Sequence, residues 1–123
     1  MLVATADVFT TAHIAVTAAI SGALAFLAAL VIMGRGSTAA TESAVVGVLT
    51  AAAVFFWRKS ANLPQLNTDG LHGFSANDWL APAVTYVWLG VYAHLRSPPD
   101  LDRYRKSQAA ATIVALAVNV ITI

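Results

Sequence analysis

The chain has 123 residues, 59% of them apolar and 11% charged, with a net charge of +1 and no cysteine. Soluble domains carry roughly a quarter charged residues, so this composition excludes an ordinary soluble domain, and its hydrophobicity excludes a disordered chain. The missing cysteines exclude disulfides, thiol catalysis and Cys-ligated metal centres, and the near-zero charge gives no field for steering onto nucleic acid.

A membrane-spanning helix needs about 20 mostly apolar residues. The first such stretch, 8–33, contains His13 as its one charge-capable side chain and ends at Gly34-Arg35-Gly36-Ser37, a run of turn residues. The second, 39–57, opens near Glu42 and closes on Arg58-Lys59. The connection 60–74 carries Pro64, Gly70 and Gly73 and is the one long loop; loops of this size are often functional. The third span, 76–95, follows Ser75-Ala76-Asn77-Asp78, which fits a capping box. Pro82 lies inside it and removes one backbone hydrogen bond, so a kink near 77–82 is expected. The fourth, from Gln108 to Ile123, is short unless it begins near residue 105, with Arg105 and Lys106 snorkelling to the membrane surface.

These stretches predict an all-α polytopic membrane protein, one domain of four antiparallel transmembrane helices (8–33, 39–57, 76–95 and 105–123) in a compact bundle. Connections one and three hold Arg35, Arg96, Arg103, Arg105 and Lys106, whereas the opposite side holds Arg58 and Lys59. Positive residues favour the cytoplasmic side, which places both termini and the 60–74 loop outside. No basic segment precedes the first span and no small-residue cleavage site follows it, so no signal peptide is expected. Ala18/Gly22, Ser21/Ala25, Ala25/Ala29, Gly47/Ala51 and Ala111/Ala115 are small-xxx-small pairs, which let helices approach closely in lipid.

Most polar side chains have a structural explanation. Glu42 and Asp78 stand near helix starts and Arg58, Lys59, His94 and Arg96 near helix ends, where the macrodipole favours each sign. Trp57 and Trp79 at the outer boundary, and Tyr92 and Tyr104 at the inner one, read as an aromatic belt. His13, His72 and His94 lack metal-ligand spacing, and no nucleophile–base pair or nucleotide-binding loop stands out, so no cofactor and no enzymatic activity are expected. Two polar residues, His13 and Asn119, fall inside spans at similar depth from the outer side. With Asp7, Arg58 and Asp78 at neighbouring helix ends, they define a candidate outer-leaflet polar cluster of His13, Arg58, Asp78 and Asn119, because ionisable groups within a membrane are functional candidates.

Three partial resemblances bear on function. Pro64-Gln65, Gly73-Phe74-Ser75, Trp88 and Tyr92-Ala93 resemble motifs of the half-size PQ-loop sugar transporters, which implies a dimer around a sugar path; Arg58-Lys59 and an extra preceding span depart from that family. Asp78-Trp79-Leu80 followed by Pro82 is similar to the start of the third helix of microbial rhodopsins. Ser75 stands where those proteins carry arginine, and no retinal-lysine helix is present. Phe74-Ser75, Trp79 and Pro82 resemble the start of the third helix in the small four-helix subunit of actinobacterial cytochrome oxidases, a subunit without catalytic residues. The expectation is an accessory subunit of a larger membrane complex, respiratory if the last resemblance holds, in a bacterial or archaeal plasma membrane. Its partners would be lipid and either other membrane subunits or further copies of itself, with no nucleic acid. The alternative is a small homo-oligomeric transporter or channel of the PQ-loop type.

Overall fold

The computed structural model describes residues 9–62, 69–71 and 74–122. Asp7, Pro64, Gln65, His72, Gly73 and Ile123, all weighed above, lie outside the described residues. Four helices dominate the fold: α1 (Thr11–Met33), α2 (Ser37–Ser60), α3 (Ala76–Leu95) and α4 (Leu101–Thr122). Within the 60–74 connection, β1 (Asp69–Leu71) pairs antiparallel with β2 (Phe74–Ser75), a short ladder that leads directly into α3. Of the helices, α1 and α2 are long and apolar enough to cross a membrane by length and composition.

The helix ends follow local chemistry. Thr10 caps α1, its hydroxyl accepting from the His13 N–H at 3.1 Å, so the helix starts three residues later than hydropathy alone implied. Gly34 and Gly36 adopt φ of 88° and 112°, a region that side-chain-bearing residues rarely enter, and they fold α2 back along α1. Helix α2 therefore begins at Ser37, which leaves Glu42 beyond the first turn rather than at the dipole's positive end. Asp100 starts α4 by accepting from the Arg103 N–H at 3.1 Å, directly after Pro98-Pro99. The fourth helix thus starts at Leu101 instead of 105 and gains a polar first turn and a half; 22 residues at ~1.5 Å each reach about 33 Å. Helix α3 remains helical through Pro82, which is buried.

Around the bundle, α1 packs against α2 and α4, and α3 packs against the same two helices. Each neighbour runs antiparallel to the next. The tightest contact joins α1 and α2 at Gly22 and Gly47. A Cβ on Gly22 would stand 2.7 Å from the Ala51 Cβ and 2.8 Å from the Gly47 carbonyl oxygen, and one on Gly47 would stand 2.8 Å from the Phe26 Cβ. Small residues also fill the axis farther along: Ala25 and Ala29 of α1, Ala53 of α2, Ala81 of α3, and Ala111 and Ala115 of α4 are all buried.

Ile14, Val46, Val54 and Leu89 are buried beside them, but many large apolar side chains point outward. Val31 is 85% exposed, Phe56 63%, Leu95 75% and Ile121 81%, one from each helix. Meanwhile Thr17, Ser21, Thr50, Thr85 and Asn119 are fully buried. The hydroxyls of Ser21, Thr50 and Thr85 donate to the carbonyl one turn back at 2.7–3.0 Å, so their burial leaves no donor unmet. Tyr104 is also fully buried, its hydroxyl donating to the Leu89 carbonyl at 2.7 Å. It is a core anchor between α3 and α4, not part of a boundary belt. The Gly22–Gly47 crossing sets the α1–α2 spacing, so Gly22→Val should lower stability by about 1–3 kcal/mol through overpacking. Thermal unfolding in detergent, compared with Ala15→Val on the exposed face of the same helix, checks this.

Candidate functional site: a buried polar cluster at one end of the bundle

Three of the four polar residues singled out in the sequence meet at the end of the bundle formed by the C-termini of α2 and α4 and the N-terminus of α3. Arg58 is 1% exposed. Its Nη2 donates to Asp78 Oδ1 at 2.6 Å, and its Nε donates to Asn119 Oδ1 at 2.8 Å. One guanidinium therefore ties three helices together. A planar fork of donors suits this task, since one face can serve a carboxylate while the Nε edge serves an amide.

Asp78 has two roles at once. Its Oδ1 receives Arg58, and its Oδ2 accepts from the Ser75 backbone N–H at 2.8 Å, the returning arm of the capping box that starts α3. The third position of a helix is where a carboxylate can reach back to the N-cap. There it also carries its charge at the positive end of the dipole. Asn119 is held from its other side, its Nδ2 donating to the Ala115 carbonyl at 2.6 Å. Its amide is thereby oriented with the oxygen toward Arg58.

A second layer surrounds this trio. The Trp57 indole N–H donates to Asn77 Oδ1 at 2.9 Å, and Asn77 Nδ2 donates to the Ala61 carbonyl at 2.7 Å, closing the end of α2 onto the start of α3. Asn62 pairs with the backbone of Phe9 through both amide atoms, at 3.0 and 2.7 Å, and so fastens the segment before α1 to the end of α2. Lys59 reaches Thr11 Oγ1 at 2.6 Å. Asn62 lies just past a helix end, and Asn77 reads as an ordinary first-turn residue. Their type gave no signal, because what matters is which backbone atoms the fold brings within reach.

His13 stands apart from the trio. It is exposed, its Nε2 lies 2.6 Å from the Thr122 carbonyl, and its ring meets Phe9 edge-on with centroids 5.3 Å apart. It joins the start of α1 to the end of α4, next to the Thr17–Thr122 hydroxyl pair at 2.9 Å. Its partner is a helix-terminal carbonyl that has no intrahelical donor, so the contact closes a helix end and does not reach Arg58.

At the other end the polar groups are spread out. Arg103 Nη1 donates to the Met33 carbonyl at 3.1 Å, linking the α1–α2 turn to α4. Arg103 and Lys106 pair with Asp100 and Asp102 at 3.5 and 3.3 Å on open surface, where such pairs contribute little. Glu42 Oε2 is buried without a hydrogen bond among the described residues, beside a cavity of about 210 Å³ lined also by Arg35, Arg103 and Tyr104. Among the described residues no group of three or more His, Asp or Glu side chains is arranged to hold a metal ion.

The Arg58–Asp78 pair is costly to break and inexpensive to remove whole. Arg58→Met should destabilise the protein by about 3–5 kcal/mol by stranding the Asp78 carboxylate. Adding Asp78→Asn to that variant should recover part of the loss, a non-additivity read from thermal unfolding of the two single variants and the double. Comparison of the chain with protein-family models, with curated proteins and with solved structures finds no match, so the reading of its function rests on this geometry.

Proposed function

We propose that the chain is an integral membrane protein whose four helices all cross the bilayer, and that it serves as a non-catalytic accessory subunit of a larger membrane complex. One observation carries the reading: large apolar side chains face outward on all four helices, while small residues and buried polar side chains share the axis with a few large apolar ones such as Ile14, Val46 and Leu89. Water would penalise such a surface at every exposed Val, Leu, Ile and Phe. Lipid would not, and in lipid close backbone packing holds helices together.

The accessory role follows from what is left to offer. Arg58, Asp78 and Asn119 engage one another, so the residues most able to bind a solute are already committed to the fold. The apolar exterior is then the surface available to partner subunits. The charge distribution supports an orientation with both termini outside. The α1–α2 turn and the α3–α4 connection share one end of the bundle, joined by Arg103 and Met33, and carry Arg35, Arg96, Arg103, Arg105 and Lys106. At the opposite end Arg58 is neutralised by Asp78, which leaves Lys59 as the charge that can act on orientation among the described residues. A bacterial or archaeal plasma membrane is the proposed setting.

Two measurements test the reading. The cysteine-free sequence permits single-cysteine labelling without background: Ser37→Cys and Ser97→Cys should react only from the cytoplasmic side of vesicles, and Thr11→Cys and Ala76→Cys only from the outside. Labelling of Ala76→Cys from the same side as Ser97→Cys would show that α3 does not cross. Native mass spectrometry of the tagged protein, gently extracted from its own membrane, should show it bound to larger subunits. A homo-oligomer free of foreign subunits would overturn the accessory role and favour the transporter alternative.

A further inference from the structure

Between α3 and α4, at the end of the bundle that carries the positive charges, lies a cavity of about 510 Å³. Tyr86, Gly90 and His94 line its α3 side at intervals of four residues, one continuous face of a helix. Arg105 and Gln108 face them from α4, and Ser97 lines the cavity between the two helices. Gly90 makes the space. A Cβ there would stand 3.1 Å from Gln108 Nε2, the atom that crosses the groove to donate to the Tyr86 carbonyl at 2.8 Å.

The charges in this groove are unbalanced. The nearby acids are engaged elsewhere, Asp100 with Arg103 and Asp102 with Lys106. Among the described residues, neither Arg105 nor His94 has a carboxylate partner, and both line the cavity. The groove therefore presents a guanidinium, an imidazole and a hydroxyl, converging on a space large enough for a phosphate group and its substituents. A guanidinium binds phosphate oxygens through paired N–H donors, and basic pockets between helices on the cytoplasmic side of a membrane hold anionic lipid headgroups.

We propose that this groove is a phosphate-binding site, and that its natural occupant is the headgroup of an anionic phospholipid of the cytoplasmic leaflet. The inference rests on the membrane reading above. The groove's depth favours a lipid over a dissolved anion: it runs from Arg105 toward Tyr86, about two helical turns into the apolar part of the bundle, and the Tyr86 ring and Leu101 flank it with apolar surface. A headgroup at Arg105 and His94 would leave the glycerol and upper acyl chains against that surface.

The test uses the full chain in nanodiscs of equal parts phosphatidylcholine and phosphatidylglycerol, with native mass spectrometry reading which lipid stays bound. Wild type should retain phosphatidylglycerol in preference. Arg105→Gln should lower that preference roughly fivefold, the effect of one cation near an anionic surface. Arg96→Gln, which removes an equal charge at the same end but outside the groove, should leave the preference unchanged. Gly90→Leu, which fills the groove and keeps every charge, should lower it as well. Equal losses from Arg96→Gln and Arg105→Gln, or no preference in wild type, would overturn the site. In detergent without lipid, Arg105-dependent stabilisation by millimolar inorganic phosphate would overturn the lipid as occupant. Failure of wild type to enter discs of phosphatidylcholine alone would instead bring down the membrane reading, and the inference with it.

Discussion

A buried arginine is the constraint around which one end of this protein is organised. A guanidinium cannot be deprotonated under ordinary conditions, so Arg58 has to be matched where it is buried. The match comes from two other helices, Asp78 at the start of α3 and Asn119 near the end of α4. Burying the charge therefore requires that α2, α3 and α4 converge at one level. Asp78 can hold its place because the same carboxylate starts α3 by capping it. Capping and charge pairing are then one event: the first turn of α3 forms where the guanidinium needs an anion. Such a pair contributes little net stability against an apolar replacement, and its value lies in excluding arrangements that leave the charge unmet.

Away from that end, the bundle is held by close approach. Gly22 and Gly47 remove the side chains that would keep α1 and α2 apart, and a methyl group at either would collide with backbone or Cβ atoms. Alanine carries the same logic onto α3 and α4. Small side chains lose almost no rotamer freedom on packing, and their hydroxyl counterparts return their hydrogen bonds to their own helix. A few large apolar side chains, Ile14, Val46, Val54 and Leu89, share the interior with these small residues, while most of the remaining Leu, Val, Ile and Phe stay outside. Tyr104 is the largest buried aromatic side chain among the described residues, and its ring fills the space between α3 and α4 where alanine would leave a void.

The two ends of the bundle differ in kind. At the Arg58 end, side-chain amides, a lysine and a histidine close the helix termini onto one another, through Asn62 with Phe9, Asn77 with Ala61, and His13 with Thr122. At the opposite end the cations are numerous, exposed and loosely paired, and a groove opens between α3 and α4. Gly90 carries part of this asymmetry, because a Cβ there would already stand 3.1 Å from Gln108 Nε2 and a bulky side chain would occupy the groove.

Four helices, the turn at Gly34 and Gly36, and the capping box at Ser75 were legible in the sequence. Each depends on local composition or backbone sterics, which neighbouring residues alone dictate. Sequence also brought Arg58, Asp78 and Asn119 together as candidates, because polar groups at matching depth in antiparallel helices have few other places to go. It included His13 by the same depth argument and could not see that its ring turns to the end of α4, since depth fixes a level but not a direction around the helix. Tyr104 read as a boundary residue and is buried; the start of α4 at Leu101 rather than 105 carries it inward, and only the packing of α3 decides which face of that turn meets the core. The Asn62 and Asn77 clasps and the α3–α4 groove had no sequence signal at all. They depend on which carbonyls and which gaps the assembled helices bring within a few ångströms, and that is settled by tertiary packing.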